Sequence, residues 1–330
     1  VRDFNMDNKN YNRIKIAGLG ISGIYLYRRL KDAGFDVYAF DPKKRGYYIP
    51  CGYATNEFNI SRYMSNINID FSDYVLSRAD DITFSGNKFD GRTLKSSGLC
   101  TFDKNRLEAT AASDIPMSPI REKSGDLIID ATGISRAYMG PSTGDLQYRT
   151  LEYLTPYSDY KDFYFYFLPG GRGYFWSFPL GEKFHIGVGS LSSEDFSLVR
   201  KYKKIRIASR NIRMVPLFND MWRDNIIGIG EAIGTVSPIT GEGIVPSLES
   251  AEMLFNCLKI GDFNNIFTEY QRQINRKFGY YNKLASLVMN IQKGNIMKTG
   301  NILAIKDIKK TINEFGIKLE IMPFLKHFLR

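Results

Sequence analysis

Cysteine is scarce in this 330-residue chain: Cys51, Cys100 and Cys257 are too few and too scattered for a disulfide framework or a zinc cluster. Histidine is scarcer. His185 and His327 show no partner pattern for metal binding or nucleophilic catalysis, so both are expected to be structural and no metal is expected. No run of about 18 apolar residues is present, and the polar stretch 1–12 lacks the apolar core of a signal peptide. These absences argue against secretion and membrane spanning, and for a reducing, cytoplasmic compartment. The sequence also lacks an internal repeat, a low-complexity linker and a second GxGxxG. What it does have is 43% hydrophobic residues, enough to bury one or two substantial cores.

The net charge of +10 is unevenly spread. Residues 271–330 hold 12 Lys/Arg against 3 Asp/Glu, whereas residues 1–270 hold 33 against 32. A neutral body supplies no basic groove, so no nucleic acid is expected as partner. The basic segment also carries Phe278, Tyr280, Tyr281, Leu284, Leu287, Val288, Met289, Ile291, Ile302, Leu303, Phe324 and Leu325. That mixture suits an anionic membrane surface, on the inner face of the cell membrane. It suits equally a packed helical tail with a solvated basic face.

Arg13–Ala17 reads as a short buried strand, followed by GLGISG at Gly18–Gly23 and a helical pattern, Ile24, Tyr27, Leu30 and Ala33, stopped by Gly34. Asp36–Phe40 is a second strand ending at Asp41, at the offset expected of a ribose-binding acid. Gly18 permits the tight turn, Gly20 lets the backbone approach a pyrophosphate, and Gly23 allows close helix-to-strand packing. An anion then sits on the helix N-terminus. Farther on, Leu127–Ile129 runs into DATG, which places Ala131 and Gly133 at a strand end. Ile226–Ile229 runs into GEAIG, which does the same for Gly230 and Glu231.

The segment Gly230–Ile244 separates FAD from NAD. Glu231 can accept a hydrogen bond from a polyol, and the turn Pro238–Gly243, with Gly241 and Gly243, opens a second helix at Ile244 whose N-terminus would favour an anionic reduced flavin. Residues of about 145–215 are aromatic-rich and alternating, as in antiparallel sheet. In YFWSFP, Tyr174, Trp176 and Phe178 share one strand face, which fits either an isoprenoid tunnel or an ordinary sheet core. Cys51 is readable as a proton-donating thiol at the cofactor or as an inert small residue.

The order GLGISG, PCGYA (Pro50–Ala54), DATG, YFWSFP and GEAIGTVSPITGEGI resembles the geranylgeranyl reductase family of archaeal lipid enzymes, over about residues 13–260. The resemblance implies a p-hydroxybenzoate hydroxylase fold, bound FAD, and saturation of isoprenoid double bonds in prenylated lipids, alcohols or quinones. Carried over by position, Ser22, Asp41, Cys51, Gly52, Ala54, Lys104, Glu231, Gly243 and Ile244 would contact FAD. Glu231 stands where the family usually has Asp, Lys104 where it usually has Arg, and the stretch from Lys104 to Asp130 is short.

The expected architecture is α/β. A discontinuous FAD-binding Rossmann-like domain spans 1–140 and 216–262, an inserted antiparallel-sheet substrate domain spans 141–215, and a basic helical region spans 263–330, with breaks at Gly279, Gly294 and Gly300. The expected substrate is an isoprenoid lipid, lined by Tyr174, Trp176 and Phe178. NAD(P)H or a ferredoxin would supply electrons. Two alternatives stay open: a flavin monooxygenase or halogenase of the same fold, since YFWSFP is also similar to a flavin-halogenase motif, and a non-catalytic membrane-associated flavoprotein.

Overall fold

The computed structural model describes residues 13–43, 48–86, 89–116, 127–262, 265–294 and 301–319. His327, Gly300, Phe324 and Leu325 lie outside these residues, as do the side chains of Ile302 and Leu303.

The chain starts as the glycine pattern requires. Strand β1 (Ile14–Ala17) leads into α1 (Ile21–Asp32), and β2 (Val37–Phe40) returns parallel to β1. Ile14 and Ile16 share one face of the first strand and Lys15 and Ala17 the other, and Ile14, Ile16, Ile24, Leu26 and Leu30 are buried around it. Each such aliphatic side chain stabilises the fold by ~1.5–3 kcal/mol. There follow β3 (Ala54–Asn56), α2 (Glu57–Ser65), β4 (Val75–Arg78), β5 (Asp81–Gly86), β6 (Phe89–Lys95), β7 (Leu99–Phe102), α3 (Lys104–Ala111) and β8 (Leu127–Asp130). Asn56 caps α2 by accepting a hydrogen bond from the Asn59 N–H, and Asp103 caps α3 in the same way from Arg106.

The aromatic-rich middle forms β9 (Gln147–Thr155), β10 (Phe163–Phe167), β11 (Gly173–Leu180), β12 (Lys183–Ser190), the short α4 (Ser197–Arg200) and β13 (Arg206–Arg213). Strands β14 (Trp222–Arg223) and β15 (Ile226–Gly228) return to the first sheet. The helices α5 (Ile244–Ile260), α6 (Ile266–Phe278), α7 (Tyr280–Gln292) and α8 (Asn301–Glu314) follow. The expected breaks fall at Gly279, between α6 and α7, and at Gly294, after α7.

Three sheets result. The first has strand order β14-β15-β8-β1-β2, parallel except for β14. The second has order β13-β9-β12-β11-β10-β5-β6, and the third is β3-β7-β4. The expected substrate sheet of 141–215 is therefore extended by residues 81–95. These lie within the stretch assigned to the nucleotide unit, and β5 pairs parallel to β10. Among the described residues no strand lies between α3 and β8, in keeping with the short stretch there.

The C-terminal helices join the sheets. Phe278, Tyr281 and Leu284 are buried in the core of the first sheet and its helices, so these members of the basic segment are packing residues. Gln292 at the end of α7 donates to the Gly171 carbonyl at 2.9 Å, which seats α7 on the second sheet. Ile312, Phe315, Ile317 and Leu319 pack against the aromatic face of β11.

That face is built around a missing side chain. Gly187 of β12 lies opposite Trp176 of β11, and a Cβ on Gly187 would come within 2.0 Å of the indole. Gly187→Ala should therefore destabilise the protein by ~1–3 kcal/mol through overpacking. It should also change the tryptophan fluorescence of the folded state. Denaturant unfolding checks this, and unchanged stability would mean that the indole can move aside freely.

Candidate functional site

The glycine turn and the two downstream strand ends converge at one edge of the first sheet. Gly18 has a φ of +96°, and a Cβ there would lie 2.5 Å from the Ala131 carbonyl oxygen. At Gly23 a Cβ would overlap the Gly18 carbonyl at 2.0 Å and approach the Ala131 side chain. The glycines thus let α1 settle against DATG. Gly20 differs, because a Cβ would project into open space. It also precedes an α1 N-terminus with no side-chain cap and no acidic residue in the first turn. Free N–H groups and an open approach form a cradle that fits a pyrophosphate.

Ser22 is buried beside this turn, and its hydroxyl lies 3.1 Å from where a Gly230 Cβ would stand. Asp41 accepts the Leu19 N–H at 2.6 Å and the Lys43 N–H at 2.8 Å, which fixes its carboxylate at the rim of the glycine turn. Glu231 faces Gly133 across the same edge. Its carboxylate is already engaged, since Arg210 reaches both oxygens at 2.8 and 2.7 Å and the Arg213 N–H donates to one of them. Arg213 in turn donates to the Glu231 carbonyl at 2.5 Å and pairs with Asp145 at 2.8 Å. Arg136 binds the Ala232 carbonyl at 2.5 Å and Asp220 at 2.9 Å. Sequence reasoning missed these three arginines, because nothing local distinguishes them from surface charges.

The second group of predicted residues gathers on the aromatic face of the seven-stranded sheet. Gly52 lies against Trp176 and Phe178, a Cβ there standing 3.1 and 3.2 Å from their rings. The thiol of Cys51 is pushed up to about 11 by burial. Lys104, at the start of α3, is buried and pairs with Glu108 at 2.5 Å. The two groups meet through the Pro238–Gly243 turn. Gly241 gives way to the Tyr174 hydroxyl, which a Cβ would approach to 1.9 Å, and Thr55, next to Ala54, donates to Glu242 at 3.1 Å.

Glu242 changes one expectation. The N-terminus of α5 at Gly243 and Ile244 does not stand bare, because the Glu242 carboxyl accepts the Val245 N–H at 3.0 Å. Burial pushes this carboxyl up to about 7, so the partial positive charge of the helix end is met within the chain by a titratable group.

Across β12 the same face turns polar. Trp176, Gly187, Glu152 and Ala208 form one register line across four strands, and Phe178, His185, Leu154 and Arg206 form the next. Glu152 and His185 are buried at 1% exposure. The Tyr48 hydroxyl donates to Glu152 at 2.7 Å and lies 3.1 Å from His185 Nε2. Glu152 Oε2, His185 Nδ1, the Tyr53 hydroxyl and Trp176 Nε1 are buried and find no hydrogen-bond partner among the described residues. Burial raises Glu152 to about 8 and lowers His185 to about 4. A histidine expected to be merely structural therefore sits in a polar cluster beside the Cys51 loop. The one local signal for it was the glycine alternation of HIGVG; Glu152 lies in a strand of mixed polarity, QYRTLEYLT, that does not mark it.

No family model matches the chain. An uncharacterized protein of Methanocaldococcus jannaschii is 21% identical over 87% of this chain and 94% of its own length. Among solved structures, a geranylgeranyl bacteriochlorophyll reductase-like protein from Thermoplasma acidophilum superposes with a TM-score of 0.67 at 16% identity, over 92% of this chain and 96% of that one. The fold is that of the FAD-binding flavoproteins of the p-hydroxybenzoate hydroxylase type. A probable FAD-dependent monooxygenase from Pseudomonas aeruginosa (TM-score 0.64, 15% identity, 88% of this chain and 100% of that one) shares it. So does a flavin-dependent brominase (0.60, 11%, 86% and 90%). Reductases and oxygenases thus share this architecture, and function has to be argued from the site. Among the described residues no helix is long and apolar enough to cross a membrane.

The buried acids and the histidine have opposite effects on stability. The folded state keeps a proton on Glu152 and Glu242 that the unfolded chain releases near 4.5, so their contribution is present at low pH and lost as pH rises through about 8 and about 7. His185 is held neutral, and its contribution is present above 6.5 and lost as pH falls through about 4. Glu152→Gln should flatten the decline of melting temperature on the alkaline side while leaving the acid-side decline in place. An alkaline limb identical to that of wild type would show that Glu152 is not held protonated.

Proposed function

We propose that this protein is an FAD-dependent oxidoreductase that saturates C=C bonds of isoprenoid chains. One observation carries the reading: the Cys51–Gly52 loop is pressed onto the Trp176–Phe178 face, and the Pro238–Gly243 turn joins that face to the glycine-turn cradle. The residues present fit the cofactor. Gly18, Gly20, Ser22 and Gly23 would receive its pyrophosphate, Asp41 its adenosine ribose, and Glu231, held by Arg210, its polyol. Ala131, Gly133 and Gly230 would line the approach. Cys51, Gly52, Ala54, Lys104, Pro238, Gly241, Gly243 and Ile244 would surround its ring end. When bound and reduced, FAD supplies a hydride equivalent.

The chain's own residues do the rest. An isolated alkene is a poor hydride acceptor, so it has to be held in place, kept from bulk water and given a proton. The aromatic face of Tyr174, Trp176 and Phe178 provides apolar walls. The Cys51 thiol, kept protonated by burial, is a proton donor at the loop that meets those walls. An isoprenoid lipid is the proposed substrate and NAD(P)H or a ferredoxin the proposed electron source. The basic C-terminal segment would hold the protein at an anionic membrane, and with Phe278, Tyr281 and Leu284 in the core that attachment would rest mainly on charge.

A second reading, oxygen-dependent hydroxylation or halogenation of a ring compound, is favoured by the monooxygenase and brominase that share the fold. Anaerobic turnover separates the two. Chemically reduced enzyme kept without oxygen should raise the mass of a geranylgeranyl substrate by ~2 Da for each double bond reduced. Cys51→Ser should slow or redirect that reduction while FAD stays bound. No mass change with any prenyl compound, together with oxygen-dependent hydroxylation of a ring, would replace the reductase reading with the second one.

A further inference from the structure

The polar half of the sheet face does nothing in the mechanism above, yet it holds two ionisable side chains at 1% exposure with unpartnered atoms. Unpaired buried polar groups are costly and need a reason. Here they border the loop that carries Cys51. The Cys51 N–H points at the Glu152 carboxyl, and the carbonyls of Cys51 and Gly52 face the His185 ring. Tyr48 bridges Glu152 and His185 with one hydroxyl, and the Tyr53 and His185 rings meet edge-to-face at 4.7 Å between centroids. The charged and titratable groups facing Glu152 are Tyr48, Cys51, Tyr53, His185 and Arg210. Those facing His185 are Tyr48, Tyr53, Glu152 and Arg206, with the Arg206 guanidinium stacked on Tyr48 at 4.8 Å.

We infer that Glu152, bridged by Tyr48 to His185, is the proton store that recharges Cys51 after each reduction. The inference rests on the reductase reading for the step that consumes the proton. In that step the S–H bond of Cys51 would break and a C–H bond would form at one alkene carbon, and bound, reduced FAD would supply the hydride equivalent for the other. The thiolate then takes the proton of the Glu152 carboxyl, and the Glu152 carboxylate regains one proton from solvent. The transfer runs in the favourable direction, because burial leaves Glu152 the stronger acid, at about 8, and Cys51 the weaker, at about 11. His185, held neutral, can accept a hydrogen bond from the Tyr48 hydroxyl in place of Glu152, with the proton remaining on Tyr48. Glu152 acts through Cys51 and is a positioning and relay residue.

The test first reads Cys51 itself, with no substrate present. The thiolate is the species that reacts with iodoacetamide, so the rate against pH follows its titration. Above pH 8 the Glu152 carboxylate disfavours a second negative charge nearby, so Glu152→Gln should let Cys51 alkylate several-fold faster at pH 9. Cys51→Ser supplies the background from Cys100 and Cys257. Tyr48→Phe provides an independent arm. Its hydroxyl favours the charged form of Glu152, so its loss should move the carboxyl titration, followed by infrared absorption, to higher pH. Equal alkylation profiles in wild type and Glu152→Gln, or a carboxyl titration that Tyr48→Phe leaves in place, would overturn the coupling. Multiple-turnover prenyl reduction with excess chemical reductant should fall above pH 8 in wild type and be slow and flat in Glu152→Gln, while the first turnover is alike in both. The same pH profile in both would overturn the relay while leaving the reductase reading intact. Shifted alkylation with no prenyl reduction in any variant would overturn the reductase reading and keep the Cys51–Glu152 coupling.

Discussion

Two guanidinium groups, those of Arg136 and Arg213, lie at 1% exposure between the first sheet and the second, and the rest of the site depends on how they are paired. A buried charge is tolerated only when its hydrogen-bonding capacity is met, and breaking such a pair costs ~3–5 kcal/mol. Arg213 meets its requirement with Asp145 and with the carbonyls of Glu231 and Ile134, and Arg136 with Asp220 and the carbonyls of Gly140 and Ala232. The Glu231 and Ala232 carbonyls belong to the GEAIG turn, and the Ile134 carbonyl directly follows DATG, whose Gly133 carbonyl also accepts from Arg213 at 3.5 Å. The arginines therefore fix both turns relative to β13, and with them the carboxylate of Glu231.

From that clamp the geometry propagates outward. Glu231 is drawn toward Arg210, whose register line continues through Thr150 and Gly189 to Tyr174. Tyr174 fits against Gly241, Gly241 belongs to the turn that opens α5, and Glu242 of that turn is tied to Thr55 beyond the Cys51 loop. The Tyr174 contact is possible because a glycine stands at 241, where a Cβ would collide with the hydroxyl. A site assembled in this way is tightly packed and well paired at the glycine-turn end. At the far end it holds several unmet polar groups, which is where a ligand and a proton pathway would be expected.

Much of the scaffold was legible in the sequence, because glycine turns and apolar strands are local signals. GLGISG, Asp41, DATG and Gly230–Ile244 marked the strand ends that the fold brings to one edge, and the face shared by Tyr174, Trp176 and Phe178 followed from alternation alone. The rest depends on long-range register. That β5 and β6 join the second sheet follows from the parallel pairing of β5 with β10, two strands far apart in the chain. His185 read as structural from the sequence, and only strand pairing sets it beside Glu152 on adjacent register lines. Nothing local marks Glu242, whose burial and Val245 N–H contact make it the cap of α5.

The central claim is that the glycine-turn edge, with Asp41 and Glu231 at its two ends, is a seat for FAD. Acid release of the chromophore from purified or reconstituted protein, followed by its identification by mass, tests this most directly. The seat as built predicts FAD at about one per chain, with retention weakened by ~1–3 kcal/mol in Asp41→Ala through loss of a charge-assisted hydrogen bond. A protein that takes up no flavin, or an Asp41→Ala variant that holds FAD as tightly as wild type after dialysis, would contradict it.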